Sequence, residues 1–200
     1  MNEMNDVVII RDLIERWVVY RDAFLWDKLR PIWHEDGMMK ATWSEGTADD
    51  FIRNNKEGMK TGLNVYILHT LGGSAIEVAG NRAISMTKML IHQRATLDGV
   101  LCDVLCNARH YDFWEKRNDK WGLVSRNTIL DKDRIDPVIP GEVIVLDPEI
   151  LGRFPTEYKH LAYLQTKLGY QVNPDCPRLT GGAALDELYS RGDAWLAEQT

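Results

Sequence analysis

The chain has 200 residues, 44% hydrophobic and 27% charged, enough to bury one ordinary core without disulfide or metal staples. A net charge of −6 with no Lys/Arg run excludes a surface built to neutralise nucleic-acid phosphates, and no apolar stretch is long enough to span a bilayer. Three cysteines without a C-x-x-C pair read as reduced thiols of a cytoplasmic protein, and Glu3 and Asp6 with no basic segment beside them predict no signal peptide.

Residues 6–22 predict a first helix. Val7, Ile10, Leu13, Ile14, Trp17 and Val18 recur at helical spacing, while Arg11, Asp12, Glu15 and Arg16 fall mostly on the other side. Phase places Arg21, four residues after Trp17, at the centre of the apolar stripe; Asp22, four after Val18, stands at its edge. A short second helix is expected from Trp26 to Trp33, with Pro31 limiting its regularity. Gly37 opens a strand over residues 38–43, closed by Ser44-Glu45-Gly46. Thr47 followed by Asp49 and Asp50 marks the start of a third helix, which runs to about Met59 and is followed by Gly62.

Beyond residue 64 the punctuation is that of hairpins. Gly72-Gly73, Gly80-Asn81, Asp98-Gly99 and Asn118-Asp119 separate strand-like runs at 65–71, 75–79, 83–95, 100–116 and 121–130. The two longest exceed an ordinary strand and call for bulges or strong curvature. The fold class is therefore α+β: a cone-shaped, curved antiparallel or mixed sheet packed against three N-terminal helices and enclosing a pocket. Residues 1–136 form this cone. Residues 137–200, introduced by Pro137, Pro140 and Pro148, form a helical extension, with helices expected over 157–168 and 183–195, packed on the cone or on a neighbouring subunit.

His69 sits in the otherwise apolar run around Val65, Ile67 and Leu71, where alternation puts these four residues on one face. An imidazole there loses hydration unless it finds a partner, and it is the side chain most readily poised for proton transfer near neutrality. His69, Asp22 and Arg126 converging on one pocket would supply a base, its orienting carboxylate and an anion-stabilising donor. Plainer readings stay open. His69 can be a core histidine bonded to a backbone carbonyl, Asp22 can pair with Arg21 or Lys28, and Arg126 with Asp112 or Glu115. His69, His92 and His110 show no metal-ligand spacing, so no metal is expected, and Cys102 and Cys106 are too far apart along a strand for a disulfide.

The segment Ile10-Arg11-Asp12-Leu13, then Asp22, Ile32-Trp33 with Asp36, His69, and Trp121 five residues before Arg126 form a pattern over roughly residues 5–135. In it the chain resembles the SnoaL-like group of the nuclear transport factor 2-like superfamily. That group includes scytalone dehydratase, hexachlorocyclohexane dehydrochlorinase and bile acid 7α-dehydratase. In the latter two an Asp at the end of the first helix pairs with a strand His to abstract a proton, and an Arg from the last strand assists. The resemblance lays Asp22, His69 and Arg126 on those positions. Met39 stands where the dehydrochlorinase pocket has a tryptophan, the lysine of that site has no evident counterpart because Trp17 occupies the nearby helical turn, and the tyrosine of the bile acid dehydratase also falls at Trp17.

The resemblance implies a cofactor-independent lyase of dehydratase type, or an isomerase, acting on a hydrophobic cyclic small molecule of polyketide, steroid or aromatic kind. Trp17, Tyr20, Met39 and Tyr66 would line its pocket, and the protein would be a homo-oligomer, dimer or trimer. The alternative within the same superfamily is a small-molecule-binding protein without chemistry, or a scaffold subunit like the β-subunit of a ring-hydroxylating dioxygenase.

Overall fold

The computed structural model describes residues 3–60 and 65–198. Helix α1 (Glu3–Asp22) buries Ile10, Ile14, Trp17, Val18 and Arg21, the stripe that periodicity marks. It ends where Phe24 turns left-handed (φ 58°), so that the Leu25 amide reaches back to the Tyr20 carbonyl at 2.8 Å. This closure satisfies the last carbonyls and fixes the direction in which Asp22 projects. A one-turn helix α2 (Trp26–Leu29) runs into a 3₁₀ turn at Arg30–Ile32, the tightening expected beside Pro31.

Strand β1 (Trp33–Lys40) starts earlier than Gly37 suggests, and a short β2 (Glu45–Thr47) pairs back onto it. Gly37 lies against the Trp33 side chain, where an added Cβ would fall 2.7 Å from it, so the glycine serves packing inside the strand. Helix α3 (Ala48–Lys60) begins with a reciprocal cap: the Asp50 amide donates to Thr47 Oγ1, and the Thr47 amide donates to Asp50 Oδ2, each at 3.1 Å. Gly62, read as following this helix, lies outside the described residues.

Four long strands follow: β3 (Tyr66–Ala79), β4 (Arg82–Leu97), β5 (Val100–Arg117) and β6 (Lys120–Pro137). The Asp98-Gly99 and Asn118-Asp119 turns have positive φ at both central residues, the geometry that matches strand twist. Gly72-Gly73 is not a turn. The strand continues through it, and the pairing with β4 slips between Leu71 and Ser74, so the glycines form a bulge. Further register shifts fall between Asn107 and Ala108 and between Phe113 and Trp114. The six-stranded sheet has the order β2-β1-β6-β5-β4-β3, with β1 parallel to β6 and the other neighbours antiparallel.

Three apolar layers hold the curved sheet. On its inner face α1, α2 and α3 pack Ile10, Ile14, Trp17 and Phe51 against Trp33, Trp114 and Leu123. Towards the other end of that face, Met89, Ile91, Val104 and Leu130 meet Leu161 and Leu164 of α5 (Lys159–Lys167), which follows a short α4 (Pro148–Leu151). Helix α6 (Ala183–Ala197) covers Ile84, Tyr111, Phe113 and Ile129, whose alternation with Ala83, Trp114 and Leu130 puts them on the outer face. The extension thus packs on both faces of its own sheet. Among the described residues no helix is long and apolar enough to cross a membrane.

Candidate active site

His69 points inward from β3, and Asp22 meets it from the end of α1. Asp22 Oδ2 accepts the His69 backbone N–H at 2.6 Å, and Asp22 Oδ1 accepts the ring Nδ1–H at 2.7 Å. An ionised carboxylate has no proton to give, so Nδ1 carries the hydrogen and Nε2 carries the lone pair. Among the described residues nothing hydrogen-bonds Nε2. Burial pulls the His69 pKa below its ordinary value of 6.5; the bond to Asp22 opposes this, and the charges of Arg21 and Arg126 add to it. The ring is therefore neutral at pH 7 and able to accept a proton.

His69 lines an inner chamber of about 50 Å³ together with Trp17, Met39, Phe51, Met89, Ile91, His110 and Thr128. An outer chamber of about 80 Å³ is walled by Phe24, Asn55, Met59, Leu168 and Tyr170. Arg21, Trp43, Ile67, Gln93 and Gln165 line both chambers, so these are two parts of one cavity with His69 at its inner end. Neither part alone reaches the roughly 150 Å³ that holds a benzene ring.

Trp17 is the hub of the inner end. Its ring meets His69 edge-on at 5.9 Å, His110 at 5.2 Å and Trp33 at 6.0 Å. His110 is fully buried, with its Nδ1 unpartnered, and burial beside Arg126 and His69 holds its pKa well below 6.5. Gln93 Oε1 is also buried without a partner. The far wall comes from the extension: Thr42 Oγ1 donates to Gln165 Oε1 at 2.7 Å, and Tyr170 packs on Trp43 with ring centroids 4.8 Å apart.

Trp17, Met39, Asp22 and His69 thus come together. Arg126 does not reach the cavity wall. It is fully buried, its Nε and Nη2 donate to Asp112 at 2.9 and 2.7 Å, and its guanidinium lies 4.3 Å from the Trp17 ring centre. Its cross-strand neighbour on β5 is Asp112, which takes two of its three nitrogens, while Nη1 is buried without a partner. Tyr66 is 67% exposed, because strand alternation turns it to the outer face while Ile67 and His69 turn in. Tyr20 lines neither chamber and sits with the Lys28 ammonium 6.0 Å from its ring. His92 also faces away, 3.3 Å from Asp103, and no group of three or more metal-ligating side chains converges among the described residues.

Sequence reasoning missed Arg21, Gln93, Gln165 and Tyr170 as cavity residues and considered His110 only as a ligand. For Arg21 a signal existed: its phase on the first helix aims it at the core. Gln165 and Tyr170 gave none, since they reach the cavity only when the extension folds back.

The SnoaL-like domain model matches residues 2–127. Pea pathogenicity protein 2 of Fusarium vanettenii is 36% identical over 197 residues, covering 94% of this chain and 84% of that protein. An uncharacterized protein of Emericella nidulans is 33% identical over 202 residues with the same coverage, 94% and 84%. Among solved structures, a hexachlorocyclohexane dehydrochlorinase (LinA, type 2) superposes with a TM-score of 0.58 at 13% identity, over 74% of this chain and 97% of that one. A candidate scytalone dehydratase of Novosphingobium aromaticivorans gives a TM-score of 0.55 at 16% identity, over 70% and 97%. At such identities the structural likeness speaks for the fold. The chain belongs to the SnoaL-like domain family.

Proposed function

We propose that this protein is a cofactor-independent lyase or isomerase in which His69 removes a proton from carbon and Asp22 holds the imidazole for that task. The observations that carry this reading are the two hydrogen bonds between Asp22 and His69, which set the tautomer and orient the ring, and the place of His69 in the cavity wall. Asp133 holds His160 by the same two bonds, but His160 lines neither chamber; the place of His69 in the cavity wall is what sets it apart. Solved structures of similar fold include a candidate scytalone dehydratase and a hexachlorocyclohexane dehydrochlorinase, and elimination of water or of HCl each requires a C–H bond to break.

The chemistry follows from the surroundings. As Nε2 accepts the proton, the ring becomes a cation, and the carboxylate at 2.7 Å stabilises it. Walls of Trp17, Met39, Phe51 and Ile91 exclude water, which strengthens every charge interaction inside. The apolar walls suit a hydrophobic ring, which needs both parts of the cavity and some widening of them, since together they still fall short of the volume that holds benzene.

Hydrogen–deuterium exchange tests this without knowledge of the product. Cyclic ketones with an acidic α-C–H are incubated with the protein in heavy water and followed by NMR. Wild type is expected to catalyse exchange, and His69→Gln to lower the rate by about 10²–10⁴-fold with folding intact. Exchange that persists in His69→Gln contradicts the proposal.

A further inference from the structure

The cavity holds a cation that the proton-abstraction reading does not use. Arg21 is 4% exposed, at the boundary of the inner and outer chambers and in the wall of both. Its Nη2 donates to Asn55 Oδ1 at 3.0 Å, and Asn55 is held in that orientation by its own Nδ2–H donating to the Phe51 carbonyl at 2.8 Å. Asn55 is neutral and leaves the guanidinium charge intact. Among the described residues the one carboxylate bonded to it is Asp22, with Nη1 to Oδ1 at 3.5 Å, the outer limit of a hydrogen bond. Both oxygens of that carboxylate already take shorter bonds from His69. A buried guanidinium with five donors and one distant, shared acid is poorly neutralised.

We infer that Arg21 is the oxyanion-holding residue of this cavity, so that the ligands it takes are planar molecules that carry or develop a negatively charged oxygen, of enolate or phenolate type. This rests on the reading of His69 as base. In the step, the substrate C–H bond breaks and its proton bonds to His69 Nε2. The C–H electron pair moves into the adjacent carbonyl, whose oxygen becomes an enolate oxyanion. Charge then re-pairs within the site: the new imidazolium claims Asp22, and Arg21, no longer sharing that carboxylate, claims the oxyanion. The enolate then re-forms its carbonyl while its carbon pair makes a new C=C bond to the neighbouring carbon, from which the leaving group departs with its own bonding pair and takes the proton from His69. Alternatively the enolate takes that proton back at another position. Arg126 lines neither chamber and has two nitrogens committed to Asp112, with Nη1 buried and unpartnered.

The test uses para-nitrophenol, a flat ring whose phenolate absorbs in the visible while the neutral phenol does not. At a pH near the phenol's own pKa, wild type is expected to raise the phenolate absorbance, with affinity increasing as pH rises through that ionisation. Arg21→Met is expected to lose the rise and weaken binding on the order of tenfold to a hundredfold. His69→Gln, whose amide can still donate to Asp22, is expected to lose less of the rise than Arg21→Met, which separates the arginine from an imidazolium as the anion's partner. Binding of the neutral phenol only, no binding, or a phenolate signal that survives Arg21→Met but not His69→Gln overturns the inference. Should Arg21→Met fail to fold, Arg21→Lys carries the test: its shorter reach is expected to weaken phenolate binding, and unchanged affinity overturns the assignment. Phenolate binding in wild type without ketone exchange would remove the base reading and leave the anion site standing.

Discussion

Asp22 grips His69 at two points, the backbone N–H at 2.6 Å and the ring Nδ1–H at 2.7 Å, and so ties the end of the first helix to the edge strand of the sheet. Asp22→Asn breaks this arrangement in a defined way. The amide has one acceptor oxygen, which can keep the backbone N–H, and its NH₂ then faces Nδ1. The ring answers by moving its proton to Nε2, and the base is lost. Exchange activity is expected to fall by about 10²–10⁴-fold, while chemical denaturation reports a loss of about 1–3 kcal/mol. Unchanged activity would mean that the carboxylate is structural only.

Acid sensitivity follows from the two buried imidazoles. Burial lowers the folded-state pKa of both His69 and His110 below the ordinary 6.5. Between the depressed folded values and 6.5 the unfolded chain binds more protons, so stability rises with pH through that window and falls as pH drops through it. Unfolding midpoints measured from pH 7 downward are expected to decline from about pH 6.5. His110→Phe should flatten part of that slope, and a slope identical to wild type would show that His110 does not supply it.

Arg126 and Asp112 are both fully buried and bonded to each other through two nitrogens. Removing one partner leaves an uncompensated charge in the core. Arg126→Met is expected to cost about 3–5 kcal/mol in denaturant melts, and pairing it with Asp112→Leu should recover most of the loss. A single variant that melts like wild type would contradict the pair's structural role.

Tyr170 packs on Trp43 and closes the outer chamber beside Arg21. Tyr170→Ala is expected to speed ligand release and to shift acceptance toward bulkier rings, read as dissociation rates across a size series of phenols. Selectivity that does not change would place the size limit elsewhere.

What the sequence revealed divides along local and distant contacts. His69 was legible because a histidine in an apolar alternating run needs a partner, and the helix-terminal Asp22 was a candidate for it. Alternation alone turns Tyr66 outward, so placing it in the pocket ran against the strand's own pattern. Gly72-Gly73 read as a turn because glycine pairs punctuate hairpins; only cross-strand pairing distinguishes a bulge from a turn. Which acid takes Arg126 depends on a register that shifts between Phe113 and Trp114, a distant property no local pattern carries. The same holds for Gln165, 123 residues from the Thr42 that it meets.

The central claim is that Asp22 keeps the His69 lone pair on Nε2, facing the cavity. Nitrogen-detected NMR of the His69 ring in wild type and Asp22→Asn tests it most directly. The account predicts a neutral wild-type ring at pH 7 with its hydrogen on Nδ1, converting to the Nε2–H tautomer in Asp22→Asn. A wild-type ring that is already protonated on Nε2 at that pH would contradict it.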